Sequence, residues 1–124
     1  MKLIIGGAYQ GKLRYALETY HIDEKAVCDC AATDIDFTAP CIDHIERFAL
    51  ACVQAGRDPV VIFEKNADKW RDAVLICCDI SGGVVPIDET MRRWREAVGR
   101  LTRYLAGEAG SVTRLFCSLP ERLK

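Results

Sequence analysis

Gly6-Gly7-Ala8-Tyr9-Gln10-Gly11-Lys12 has the spacing of a phosphate-binding loop, G-x-x-x-x-G-K. The chemistry follows from the residue types. Glycines let the backbone wrap with its N–H groups turned inward, a helix N-terminus adds partial positive charge, and a lysine reaches the outer phosphates of a nucleotide. Gly6, Gly7, Ala8, Tyr9, Gln10, Gly11, Lys12 and the following Leu13 are therefore the candidate nucleotide-binding residues, with Lys12 the candidate catalytic cation. The plainer alternative is a glycine turn ahead of a helix. The full pattern carries Ser or Thr after the lysine, because that hydroxyl ligates Mg²⁺. Leu13 stands there instead, and an aliphatic side chain holds no metal.

Two acids end apolar runs. Asp29 closes Ala26-Val27-Cys28 and is the candidate metal ligand, since an acid at a strand end holds Mg²⁺ in phosphate-loop proteins. Asp79 follows Ala73–Cys78 and is the second candidate catalytic residue, placed to polarise a substrate hydroxyl or to bind a base or ribose. For both, an acid in a turn is the bland alternative. His21 and His44 read as surface histidines, His44 on the polar side of a helix. The seven cysteines lack C-x-x-C spacing at Cys28/Cys30 and Cys77/Cys78 and lie mostly in apolar runs, where a thiol acts as a small hydrophobe.

The elements that must position these residues alternate. Leu3-Ile4-Ile5 reads as a buried strand ending in glycines, and Leu13, Ala16, Leu17 and Tyr20 keep helical spacing. A strand follows at Ala26–Cys28, then a loop over 31–40. Ile42, Ile45, Ala49, Cys52 and Val53 mark a helix face ending at Gly56. Asp58-Pro59 suits a helix start, so 58–71 is read as helical although Val60-Val61-Ile62-Phe63 would also serve a strand. Ala73–Cys78 is a strand running into Ser81-Gly82-Gly83. A long helix begins at the N-cap Asp88, with Met91, Trp94, Val98, Leu101 and Leu105 inside and Gly107 and Gly110 at its end, and Val112–Cys117 is a last strand. The order β-α-β-α-α-β-α-β predicts an α/β fold, a mainly parallel sheet of the P-loop NTPase type with helices on both faces, in one domain spanning 1–124. Such sheets bind ligands beyond the carboxyl ends of their strands, where Gly6–Lys12, Asp29 and Asp79 fall.

The bulk numbers agree with such a domain. The chain has 124 residues, half of them apolar, and a net charge of −1, so neither nucleic acid nor membrane is an expected partner. Residues 18–46 hold eight acids and one base, whereas 92–103 hold five arginines and one acid; the bland reading of the latter is a solvated helix face. No signal peptide or spanning run is visible, and the expected location is the cytoplasm.

Three stretches together resemble the bifunctional adenosylcobinamide kinase/adenosylcobinamide-phosphate guanylyltransferase family of cobalamin synthesis. Ile5–Ala16 is similar to that family's G-G-A-x-S-G-K-S-x-x-A loop. Cys78-Asp79-Ile80-Ser81-Gly82-Gly83-Val84-Val85-Pro86 is similar to its N-E-V-G-x-G-I/V-V-P segment, and Trp94–Ala106 to the F-R-D-x-x-G-x-x-N-Q-x-L-A helix that follows. Cys28-Asp29-Cys30 resembles its strand-terminal Asp-Cys, and the tail Leu119–Lys124 is also similar. The resemblance implies ATP or GTP binding at Gly6–Lys12, a metal acid at Asp29 for Mg²⁺, an acid at Asp79 where the family has Glu, and a trimeric homo-oligomer. The implied activity is a kinase, a transferase that phosphorylates a hydroxyl of adenosylcobinamide or another corrinoid. The family's nucleotidylated histidine lies in a long segment that Tyr20–Lys25 replaces here, so the guanylyltransferase half is expected to be lost. The alternative is a module that binds nucleotide or corrinoid without turnover.

Overall fold

The computed structural model describes residues 1–31, 33–80 and 88–124. Strand β1 (Lys2–Gly6) leads through a loop into helix α1 (Lys12–Tyr20), and a single 3-10 turn (Glu24–Ala26) feeds β2 (Val27–Asp29). Then come β3 (Cys41–Asp43), α2 (Ile45–Gln54), α3 (Pro59–Lys65), α4 (Ala67–Trp70) and β4 (Val74–Cys78). Helix α5 (Glu89–Glu108), β5 (Ser111–Phe116) and β6 (Leu119–Arg122) complete the order. One sheet joins all six strands as β2-β3-β4-β1-β5-β6. Every neighbouring pair is parallel except β5 and β6.

The strands alternate their side chains between two layers, as a pleated backbone must. Leu3, Ile42, Leu75, Cys77 and Val112 pack with α2, α3, α4 and α5 on one face. Ile4, Cys41, Val74, Ile76 and Leu115 pack with Ala16 of α1 on the other. The chain is thus α/β, with a mostly parallel sheet between helices. Among the described residues, no helix is long and apolar enough to cross a membrane.

Helix starts follow local chemistry. The Asp58 side chain accepts from the Val60 N–H, with Pro59 at the first helical position, and the helical reading of 58–71 holds as α3 and α4. Asp88 accepts from the N–H groups of Thr90 and Met91, as an N-cap should. Other expectations need correction. Ile42 belongs to strand β3 and not to the helix face, because the loop expected over 31–40 returns through Cys41–Asp43 to pair with both β2 and β4. A three-residue strand is too short to show alternation in sequence. Met91 is exposed at the first turn of α5. Gly107 lies inside α5, and Ala109 caps it. Val112–Cys117 is not the last strand, since β6 folds back on β5. The turn expected at Ser81-Gly82-Gly83 and the residues through Pro86 lie outside the described residues.

Phe63 anchors the larger core. Its ring meets Phe37 edge-on at 5.1 Å, Phe48 at 5.6 Å and Trp70 at 5.9 Å, and the Trp70 indole N–H donates to its carbonyl at 2.8 Å. Phe63→Ala would leave a void among rings from α2, α4 and the turn at Phe37. The expected cost is about 3–5 kcal/mol, measured as a fall in the urea midpoint with unchanged slope. A loss under about 1 kcal/mol would show that the cluster collapses to fill the space.

Candidate functional site

The loop between β1 and α1 is shaped from below by β5 and β6. An added Cβ on Gly6 would come within 2.6 Å of the Leu115 carbonyl oxygen, so only glycine lets β1 leave the sheet there. Gly11 has φ +86°, and a Cβ on it would lie 2.8 Å from Ser118 Oγ. Gln10 is held twice: its carbonyl accepts from the Ser118 N–H at 3.1 Å, and its side-chain oxygen accepts from the Cys117 N–H. Cys117 and Ser118 both take positive φ, the tight turn that a two-residue hairpin needs. Tyr9 also has positive φ and stands fully exposed at the tip.

Lys12 opens α1 and folds back over the loop, its Nζ 2.6 Å from the Gly7 carbonyl oxygen. No backbone N–H from Gly7 to Gly11 donates to another described residue. The loop thus presents several donors and a cation at the N-terminus of a nine-residue helix, an arrangement suited to an oxyanion. Leu13 packs partly buried against the α1-side core, which explains an aliphatic residue there in structural terms.

The two candidate acids separate. Asp79 stands beside the loop: Gly6 pairs with Cys78, and the Asp79 N–H donates to the Gly6 carbonyl at 2.7 Å, extending the ladder by one rung. Asp29 ends β2, three strands from β1, or about 14 Å across the sheet. Asp29 meets His44 instead, with Oδ1 2.6 Å from Nδ1. A carboxylate only accepts, so the imidazole proton sits on Nδ1. His44 is not on a helix face as expected. It precedes α2 with φ +57°, and its N–H donates to Asp43 Oδ1 at 2.7 Å. His21 is the exposed C-cap of α1.

Glu46 escaped sequence reading. It is 6% exposed and accepts from the Cys78 N–H at 2.9 Å, while its carbonyl accepts from the Trp94 indole at 2.7 Å. The available signal was an acid inside the apolar run Ile45–Cys52. Asp43 is likewise buried, and burial pushes its carboxyl above the ordinary value, opposed by the charge and N–H of His44. Burial also raises the thiols of Cys30 and Cys77, that of Cys41 to about 12 and that of Cys52 to about 11, which makes them poor nucleophiles. Among the described residues, no three His, Cys, Asp or Glu side chains form a group able to hold a metal ion.

No family model matches the chain, and no curated protein matches it.

Asp43 makes a pH prediction with a definite sign. A raised carboxyl pKa means that the native state keeps its proton where the unfolded chain has released it. Its contribution to stability is therefore fully present below 3.8, the ordinary value, and is lost as the pH rises through the raised one. Asp43→Asn keeps an acceptor for the His44 N–H and is expected to flatten that fall. Urea midpoints of both proteins at about pH 4 and about pH 7 measure it; equal slopes would show that Asp43 does not carry the effect.

Proposed function

We propose that the protein binds the phosphates of ATP or GTP through Gly6–Lys12. The supporting observation is the loop itself: Lys12 laid over Gly7, N–H groups from Gly7 to Gly11 that donate to no described residue, and an αL Gly11 directly before α1. Within this proposal the fold is of the P-loop NTPase type. The resemblance to the adenosylcobinamide kinase family extends it to phosphorylation of a corrinoid side-chain hydroxyl in cobalamin biosynthesis. Lys12 would neutralise charge on the outer phosphates, and Asp79 would supply the carboxylate beside the loop. Such catalysis is largely positioning and charge neutralisation.

The described residues do not make the Mg²⁺ site of that reaction. Leu13 brings no oxygen, and Asp29 is engaged by His44 three strands away. These observations favour the second reading, a module that keeps nucleotide or corrinoid binding without turnover.

ATP or GTP at millimolar concentration is expected to raise the melting temperature, and Lys12→Ala to abolish the shift. A ligand that binds only the native state stabilises it by about 2.7 kcal/mol at a hundredfold excess over its Kd. No shift with either nucleotide would sink the proposal.

Calorimetric titration separates the two readings. Wild-type binding of ATP should differ little between Mg²⁺ and EDTA, whereas Leu13→Ser, by restoring an oxygen ligand, should make binding Mg²⁺-dependent. The variant's fold is checked first, because losing a partly buried leucine costs up to about 2–5 kcal/mol. Wild-type binding that collapses in EDTA would mean that the metal is held without position 13, and would favour the enzyme over the module.

A further inference from the structure

The α5 face of the sheet is unevenly covered. A cavity of about 700 Å³ opens between α5 and the carboxyl ends of β1 and β4. Ile5, Cys77 and Ile80 form its floor, and α5 contributes Val98, Gly99 and Arg103 to its wall. A second cavity of about 340 Å³ continues along β1, and Ile5, Thr102 and Arg103 line both. Together they make one groove, of the size that small-molecule sites have. Beside it, Phe116 of β5 shares the face of Val112 by strand alternation and is 61% exposed.

Gly99 is the second observation. It lies mid-helix, where glycine is disfavoured by backbone entropy. An added Cβ would meet nothing within 4 Å, so no neighbour demands glycine there. The missing side chain is what leaves the wall open. Charge is the third. Arg95, Arg100 and Arg103 face the larger cavity against Glu96 and Asp79. Arg95 and Asp79 have partners of their own, and Arg100 lies 3.9 Å from Asp58. Arg103, at the junction of the two cavities, has no ion-pair or hydrogen-bond partner among the described residues.

We propose that this groove binds an elongated organic anion. The apolar body lies over Ile5, Cys77 and Ile80 in the space that Gly99 leaves, and the carboxylate, sulfonate or phosphate group pairs with Arg103. The cavity also reaches Asp79 beside the loop, but Ile5, Cys77, Ile80, Gly99 and Arg103 lie outside Gly6–Lys12, so the variants below test the groove separately from nucleotide binding.

The test is fluorescence titration of the full chain with anilinonaphthalene sulfonate, an apolar body with one anionic group, and with neutral phenylnaphthylamine. Wild-type protein should bind both saturably while its near-UV circular dichroism stays native. Gly99→Leu should fill the groove, keep or raise the urea midpoint, and weaken both probes at least about tenfold. Arg103→Glu, at an exposed position, should weaken the sulfonate about tenfold and leave the neutral probe unchanged. A folded Gly99→Leu that binds like wild type would overturn the site, as would absence of saturable wild-type binding. An Arg103→Glu that changes neither probe, or both equally, would overturn the anion. Should Gly99→Leu lose its cooperative melt, Gly99→Ala replaces it, with a smaller loss expected and no loss counting against the groove.

Discussion

Much of this structure depends on how closely β1 passes β5 at Gly6. The two backbones approach until a single carbon on Gly6 would overlap the Leu115 carbonyl. That approach sets the height at which the chain leaves the sheet. The loop then runs directly over the β5–β6 turn, where Gln10 and Gly11 meet Cys117 and Ser118. Residues more than a hundred positions apart in sequence thereby fix one another's backbone, and the loop is held without a secondary structure of its own. Parallel pairing on the other side does the rest. Gly6 and Cys78 share a register, so the sheet ladder brings Asp79 to the loop.

The parts of the fold legible in the sequence were those with length or a cap. β1, α1, β4 and α5 each show an apolar run or a helical stripe, and Asp58-Pro59 and Asp88 announce their helices by side-chain chemistry that the structure contains. The phosphate-loop pattern was legible because glycine and lysine spacing is local. β3 and β6 were not. A strand of three residues carries no period, and β6 contains Pro120 in a polar run that reads as a tail. The misplacement of β3 also hid the neighbourhood of Asp29. Without that strand, Asp29 stands one place nearer the loop, and nothing links it to His44. Glu46 was invisible for a different reason: one acid on an apolar stripe looks like an error in the stripe until its partner, the Cys78 N–H, is known.

Chemistry at the carboxyl edge is accordingly divided in two. Around β1 and β4 lie the loop, Lys12 and Asp79. Around β2 and β3 lie Asp29, His44 and the buried Asp43, tied together by short hydrogen bonds. Between them sits Glu46, whose carboxylate holds the last amide of β4 while its carbonyl holds the Trp94 indole of α5. A buried carboxylate without such a donor would be costly. With it, α2, α5 and the end of β4 are joined through one residue.

The two outer strands have a consequence for the chain's behaviour in a crowded solution. An open sheet edge is a template for pairing with another molecule, and long, flat, apolar edges invite aggregation. Here one edge is β2, only three residues long and ending in a carboxylate. The other is β6, which carries a proline, then Glu121 and Arg122, and runs antiparallel to an otherwise parallel sheet. Neither offers an incoming strand a long row of unhindered donors and acceptors. Growth of the sheet from one copy into the next is disfavoured at both ends by strands that are short and carry charge.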